Sequence, residues 1–305
     1  YLYMIIDDKK CFFLLGFQKS GTSTIHEWLK QINSITLPDI KETHYFSKKS
    51  NYNKGLNWYL ENFNISKNTT HIGEIDPSYI LIKEYLLKIK NTFINTPYFI
   101  FIIRKPIERA YSHYLMSNLR GYEKLNFNKS LNEEKDRLSN DTTNFSLINN
   151  GYFERSLYPK YIEIFYDVFP DAKPLFLKFE DLYDNSKRKK MYMDIIRYLH
   201  ISYNVTNVKL DKIKNSASSP KSLYFQQLLY QDLLIKRFFK KILPDKVTSK
   251  LKMYLSKINM SEISDLDRKN PTDLVEDKFL YLNDKISQKM EHLTDLDLSD
   301  WYCLK

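Results

Sequence analysis

A short apolar run that ends in glycine and leads into a helix constrains this chain more than any other feature. Residues 11–16, Cys-Phe-Phe-Leu-Leu-Gly, have the composition and length of a buried strand. Beyond Thr22, the apolar residues Ile25, Trp28, Leu29 and Ile32 recur at the spacing of one helix face, so a helix is expected from Thr22 to Ile32. The connection reads Gly16-Phe17-Gln18-Lys19-Ser20-Gly21-Thr22-Ser23-Thr24. A glycine-containing loop that feeds a helix N-terminus is an anion site, because backbone N–H groups converge there and the helix dipole adds positive potential. The bland reading is that Gly, Ser and Thr merely cap the helix. The preceding strand and the nearby Lys19 favour the anion site.

Gly16 and Gly21 have the spacing of a nucleotide P-loop, which would place a lysine directly after the second glycine. Thr22 stands there, and the lysine comes earlier, at Lys19. This is a phosphate cradle with its cation moved. It is unsuited to triphosphate chemistry, in which Lys and Ser/Thr divide the γ-phosphate and Mg²⁺ between them.

The rest of the chain repeats the alternation. Further strands are expected at His71–Ile75, over residues 98–103 (Tyr-Phe-Ile-Phe-Ile-Ile) and over residues 173–179. Helices are expected from Tyr79 to Ile89, from Pro106 to Leu119, from Leu147 to Phe169, and at about 187–199, 222–241, 246–256 and 272–292. Strands alternating with helices predict an α/β fold: a P-loop-NTPase-like three-layer arrangement, with a central parallel sheet and helices on both faces. Residues 1–305 read as a single domain, with an irregular, Asn-rich insert at about 119–145 and a helical C-terminal part at about 222–305.

Composition narrows the function. The 47 Lys and Arg exceed the 37 Asp and Glu, giving a net charge of +10 and favouring anionic partners. Nine of the 47 are Arg, and no recognition motif for nucleic acid appears, which argues against a basic nucleic-acid-binding protein. Cys11 and Cys303 have neither zinc spacing nor disulfide numbers and are expected as buried free thiols. No apolar run reaches the ~18 residues of a membrane span. Sequons at Asn64, Asn68, Asn144 and Asn204 would suit a Golgi lumen, but the scarcity of cysteine favours a cytoplasmic protein. Nothing in the sequence fixes an oligomeric state.

Four segments resemble, in order and spacing, the sulfotransferases that use 3′-phosphoadenosine 5′-phosphosulfate (PAPS). Gln18–Thr24 after a strand resembles their 5′-phosphosulfate loop. Lys41-Glu42-Thr43-His44-Tyr45-Phe46 is similar to the KE-x-H-[FY]-F stretch of the carbohydrate, heparan-sulfate-like branch. The segment from Arg104 through Pro106 and Arg109 to Ser112 and Tyr114 resembles their 3′-phosphate motif. Asn215 to Ser222 is similar to the late loop that closes over the nucleotide, and Leu296–Trp301 to the usual C-terminus. There are departures: Lys105 replaces an Asp, and Lys221 stands where Arg is commoner. In Glu74-Ile75-Asp76-Pro77-Ser78-Tyr79, Ile75 replaces a lysine that serves the acceptor in heparan sulfate enzymes.

The resemblance implies an enzyme that moves a sulfuryl group from PAPS to an acceptor hydroxyl or amine, with a saccharide as the expected acceptor. It implies that Lys19 meets negative charge on the bridging oxygen, while Ser20, Gly21, Thr22, Ser23 and Thr24 hold the 5′-phosphate end. It assigns Arg104 and Ser112 to the 3′-phosphate, and Lys221 and Asn215 to closure of the nucleotide site. Glu42 is the first choice for general base and His44 the rival. Arg109 is expected in a structural ion pair. The terminal group of the donor carries one negative charge, so transfer without a metal is expected. A variant P-loop kinase or NTPase is the alternative enzyme.

Overall fold

The computed structural model describes residues 8–202, 208–211, 218–220, 222–230, 254–256, 258–262 and 269–304. Two compact units form: Tyr1–Pro106 with Leu157–Lys214 and Leu282–Lys305, and Ile107–Ser156 with Asn215–Tyr281.

The first unit is built on a parallel sheet of β1 (Lys10–Gly16), β2 (Ile35–Thr36), β3 (His71–Ile75), β4 (Tyr98–Ile103) and β5 (Leu175–Lys178). The strand order is β2-β3-β1-β4-β5, with Phe12 opposite Gly73 on one side and Tyr98 on the other. Gly73 is required there, because a Cβ would overlap the ring of Phe12. Side chains alternate across the pleat, so the central strands serve two cores. Phe12, Leu14, Ile100 and Ile102 join Ile25, Trp28 and Leu29 of α1 (Thr22–Leu29) in one core, with Met191, Tyr192 and Ile195 from the helix Asn185–Tyr198. The intervening residues Phe13, Phe99 and Phe101 face an aromatic core. Phe13 meets Phe46 and Phe93, while Phe99 and Phe101 meet Phe165 of the helix Tyr158–Val168 edge-on. Burial on both faces explains why β1 and β4 read as continuous apolar runs. At the far edge, Lys178 donates to Asp300 Oδ1 (2.5 Å) and the Asp297 carbonyl (2.9 Å), fastening the C-terminal turn that buries Trp301.

The second unit begins in α2 (Pro106–Leu119), which proline opens as its ring geometry allows. Residues 119–145 are not irregular as expected: they carry helices Phe127–Asn132 and Glu134–Ser139. Asn126 caps the first by accepting from Lys129 N–H, and buried Glu123 binds Arg137, the Tyr152 hydroxyl and the N–H groups of Lys124 and Leu125. The helix expected from Leu147 to Phe169 is broken into Phe145–Asn149, a 3₁₀ turn Glu154–Ser156 and Tyr158–Val168. Buried Glu134 accepts from Phe153 and Glu154 N–H (2.9 and 2.7 Å), and Pro159 restarts the helix. Arg109 hydrogen-bonds the Ser156 hydroxyl (2.6 Å) and the Tyr152 carbonyl, so its structural role includes backbone capping. A two-stranded antiparallel pair, Ser218–Pro220 with Met260–Glu262, lies in this unit.

Other boundaries shift. Thr22–Leu29 ends a turn early, and Tyr79–Leu81 is 3₁₀, separated from Lys83–Thr92 by extended Ile82. Of the expected 222–241 helix, residues 222–230 lie within the described residues and are helical over Leu223–Tyr230; of 246–256, only 254–256 are described. The last long helix is Asp277–Thr294. Cys11 is buried, but Cys303 is half-buried, and neither forms a disulfide among the described residues. Among the described residues, no helix is long and apolar enough to cross a membrane.

Candidate active site

Ligands of parallel α/β sheets bind at the carboxyl ends of the strands. In the first unit, the ends of β1, β4 and β3 carry the loop with Lys19, Arg104 and Asp76 respectively.

The loop after β1 is shaped by its backbone. Phe17 N–H donates to the Ile102 carbonyl (2.7 Å) and Ser20 N–H to the Phe17 carbonyl (3.1 Å). Lys19 and Gly21 take left-handed backbone, φ 72° and 87°. Gly21 is packed tightly: a Cβ there would sit 2.6 Å from Leu182 Cδ1 and 3.0 Å from Phe179 Cδ2. Gly21 is also the N-cap of α1, which has no side-chain cap and no acid in its first turn. Ser20, Thr22 and Thr24 are buried, whereas Lys19 and Ser23 are half-buried. The Ser20 hydroxyl has no hydrogen-bond partner among the described residues. A buried, orphaned hydroxyl before an uncapped helix N-terminus fits an anionic phosphate ligand, which would supply the missing acceptor.

Arg104 reaches this loop from the end of β4. Its Nη1 donates to the Lys19 carbonyl (3.3 Å), and its guanidinium lies 4.4 Å from the Phe179 ring centroid. Its own carbonyl accepts from the Tyr158 hydroxyl (2.7 Å), and the next N–H, of Lys105, donates to Glu180 Oε1 (3.1 Å). Phe179, Glu180, Leu182 and Tyr158 did not stand out in the sequence. The available signal was Glu180, a polar residue immediately after a strand. Ser112 lies in α2, half-buried, in the second unit. Asn215 and Lys221 lie outside the described residues.

The 41–46 segment is held differently. Glu42 and His44 both take left-handed backbone, φ 62° and 53°. Glu42 Oε1 is bound by Lys41 Nζ at 2.6 Å. Between them, Thr43 donates from its N–H (2.9 Å) and Oγ1 (2.5 Å) to Glu74 Oε1, which also accepts from the Tyr79 hydroxyl (3.1 Å). The Thr43 carbonyl accepts from Asn51 Nδ2 (2.9 Å). His44 Nδ1 lies 2.8 Å from Asp76 Oδ2. Asp76 had no role in the sequence reading of the 74–79 segment; an acid just past a strand was the signal for it. Of the aromatic residues that could stack on a ligand, Tyr59, Tyr79 and Tyr152 are buried in packing; Trp58 is half-buried, with Lys54 Nζ 4.3 Å over its ring.

Comparisons with known proteins bear on the family and the fold. The chain is 28% identical over 161 residues to heparan sulfate glucosamine 3-O-sulfotransferase 5 of Homo sapiens, covering 52% of this chain and 44% of that protein. It is 32% identical over 109 residues to the membrane-associated sulfotransferase kil1 of Dictyostelium discoideum, covering 35% and 22%. The match thus spans less than half of either relative. A crystal structure of a sulfotransferase from Alicyclobacillus acidocaldarius shares the fold, with a TM-score of 0.60 at 18% identity over 96% of this chain and 98% of that one. Residues 9–265 match the family model described as "Sulfotransferase domain". With the β1 loop, Arg104 and the 41–46 segment on one sheet edge and that match across most of its length, the chain belongs to the sulfotransferase domain family.

Proposed function

We propose that this protein transfers a sulfuryl group from PAPS to a hydroxyl or amine of a saccharide. The observation that carries the reading is the buried Ser20 hydroxyl, without a partner among the described residues, at the uncapped start of α1, with Arg104 hydrogen-bonded to the same loop. PAPS, when bound, supplies the sulfuryl group on a nucleotide phosphate that departs with its electrons. Ser20, Gly21, Thr22, Ser23 and Thr24 hold the 5′-phosphate end, where hydroxyls and the helix dipole favour negative charge. The ammonium of Lys19 stabilises the charge that grows on the departing oxygen, the kind of contact worth most in the transition state. The guanidinium of Arg104, with the Ser112 hydroxyl, binds the 3′-phosphate; an arginine fork suits a phosphate better than a lysine does. Asn215 and Lys221 complete the nucleotide site. The acceptor proton leaves to the 41–46 segment, through Glu42 or His44.

The saccharide acceptor is supported by the heparan sulfate named in the first relative, and Ile75 predicts contacts different from those of a lysine-bearing site. The scarcity of cysteine supports a cytoplasmic protein. Transfer proceeds without a metal ion, since a monoanionic sulfuryl group needs no divalent clamp.

Thermal shift with nucleotides tests the reading. Adenosine 3′,5′-bisphosphate raises the melting temperature by several degrees at saturation, adenosine 5′-phosphate by less, and Arg104→Ala removes the difference. Label from PAPS reaches desulfated heparan sulfate in excess EDTA. A response to Mg-ATP equal to that of the bisphosphate would overturn the assignment.

A further inference from the structure

Two acids at the end of β3 meet the same burial with opposite outcomes. Glu74 is 1% exposed and Asp76 0%. Burial, reinforced by the charge of Asp76, pushes the Glu74 carboxyl up to about 7. Burial would raise Asp76 too, but the His44 ring, whose Nδ1 lies 2.8 Å from Oδ2, outweighs it, helped by the Ser78 hydroxyl (2.5 Å) and N–H (2.9 Å) on Oδ1. The buried charge therefore rests on Asp76, against His44. A carboxylate this buried is costly unless it is paired and hydrogen-bonded.

We propose that Asp76 is a positioning residue: it accepts the Nδ1–H of His44 and so fixes the tautomer whose Nε2 takes the proton of the attacking acceptor hydroxyl. The inference deepens the sulfotransferase reading and rests on it. An ionised carboxylate only accepts, so the proton between them belongs to Nδ1. The His44 side chain is 30% exposed, and no described residue hydrogen-bonds its Nε2. Its left-handed backbone, unfavourable in a non-glycine residue, is held by Thr43 on Glu74 and by Lys48 N–H on the His44 carbonyl (2.9 Å). The rival Glu42 is already engaged by Lys41. In the step, the acceptor oxygen bonds to sulfur as its proton passes to Nε2. The sulfur–oxygen bond to the nucleotide breaks, its electrons leave on the phosphate oxygen, and the imidazolium later yields its proton to water.

The groups facing His44 are Asp76 at the end of β3 and Glu42 and Lys48 on its own segment. Burial and Lys48 lower its basicity, but Asp76 and Glu42 overcome them and hold it above 6.5. The acid limb of kcat/KM, followed as adenosine 3′,5′-bisphosphate released from PAPS with desulfated heparan sulfate or water as acceptor, therefore has its midpoint above pH 6.5. Asp76→Asn lowers that midpoint, cuts kcat at least tenfold and keeps the thermal shift with the bisphosphate. His44→Gln abolishes the limb, and the loss of one histidine resonance assigns His44 for direct NMR titration. An unchanged midpoint and kcat in folded Asp76→Asn would overturn the proposal. If that variant does not fold, His44→Gln decides: wild-type kcat overturns the proposal, and loss of the limb supports it. Wild-type protein that neither binds the bisphosphate nor turns over PAPS fails the parent reading instead, and this one with it.

Discussion

The loop after β1 and the 41–46 segment belong to one sheet edge but are held by different means. The first is shaped by its own backbone: carbonyls of Phe17 and Ile102 are its anchors, and Gly21 fills a left-handed position against Leu182. Its Ser20 hydroxyl has no partner among the described residues. The second is shaped by side chains at the end of β3, with Glu74 Oε1 accepting from Thr43 and Asp76 Oδ2 2.8 Å from His44 Nδ1. On the proposed reading, the difference suits one loop to receiving an anion and the other to aiming a proton acceptor.

The comparison breaks most visibly at Lys19. Lys19→Ala should lower kcat by about 100-fold or more, roughly 3 kcal/mol of transition-state stabilisation, with little change in melting temperature. Single-turnover transfer with a melting curve checks this, and wild-type turnover would remove the loop from the chemistry. Gly21→Ala comes next. Its φ of 87° and the 2.6 Å approach to Leu182 should cost about 1–3 kcal/mol in urea unfolding and weaken bisphosphate binding. An unchanged denaturation midpoint would show that the loop is not backbone-shaped.

Thr43→Val is the mildest, about 1–2 kcal/mol from the lost hydroxyl bond to Glu74 and the Tyr45 N–H that the hydroxyl accepts. Its pH dependence sharpens the contrast. The folded-state value of Glu74, about 7, lies above its ordinary 4.5, so its contribution is fully present below about 4.5 and is lost as pH rises through 7. The Thr43 bonds hold that value down, and removing one raises it. Thr43→Val should therefore be more destabilised relative to wild type at pH 8 than at pH 5, measured by thermal melts at both. An equal deficit would mean that Glu74 does not titrate in this range.

Local chemistry was legible wherever neighbours in sequence act on one another. The apolar runs of β1 and β4, the displaced lysine and Pro106 at a helix start all appear where residue type and spacing put them. Reading failed where a distant side chain intervened. The 147–169 periodicity is helical, yet Glu134 claims the N–H groups of Phe153 and Glu154 and breaks it. The 119–145 stretch is polar enough to pass for a loop, yet Glu123 gathers it into order. β2, at two residues, is too short for any periodicity.

By itself the sequence determined the strand–loop–helix unit, the likeness to sulfotransferases and the residue types of the site, because hydrophobic alternation and backbone preferences operate over a few residues. Only the tertiary structure decided that Arg104 meets the Lys19 carbonyl, that Asp76 meets His44, and which of the two β3 acids keeps its charge. Those depend on the strand order β2-β3-β1-β4-β5 and on depth from water, and both arise from packing the whole sheet.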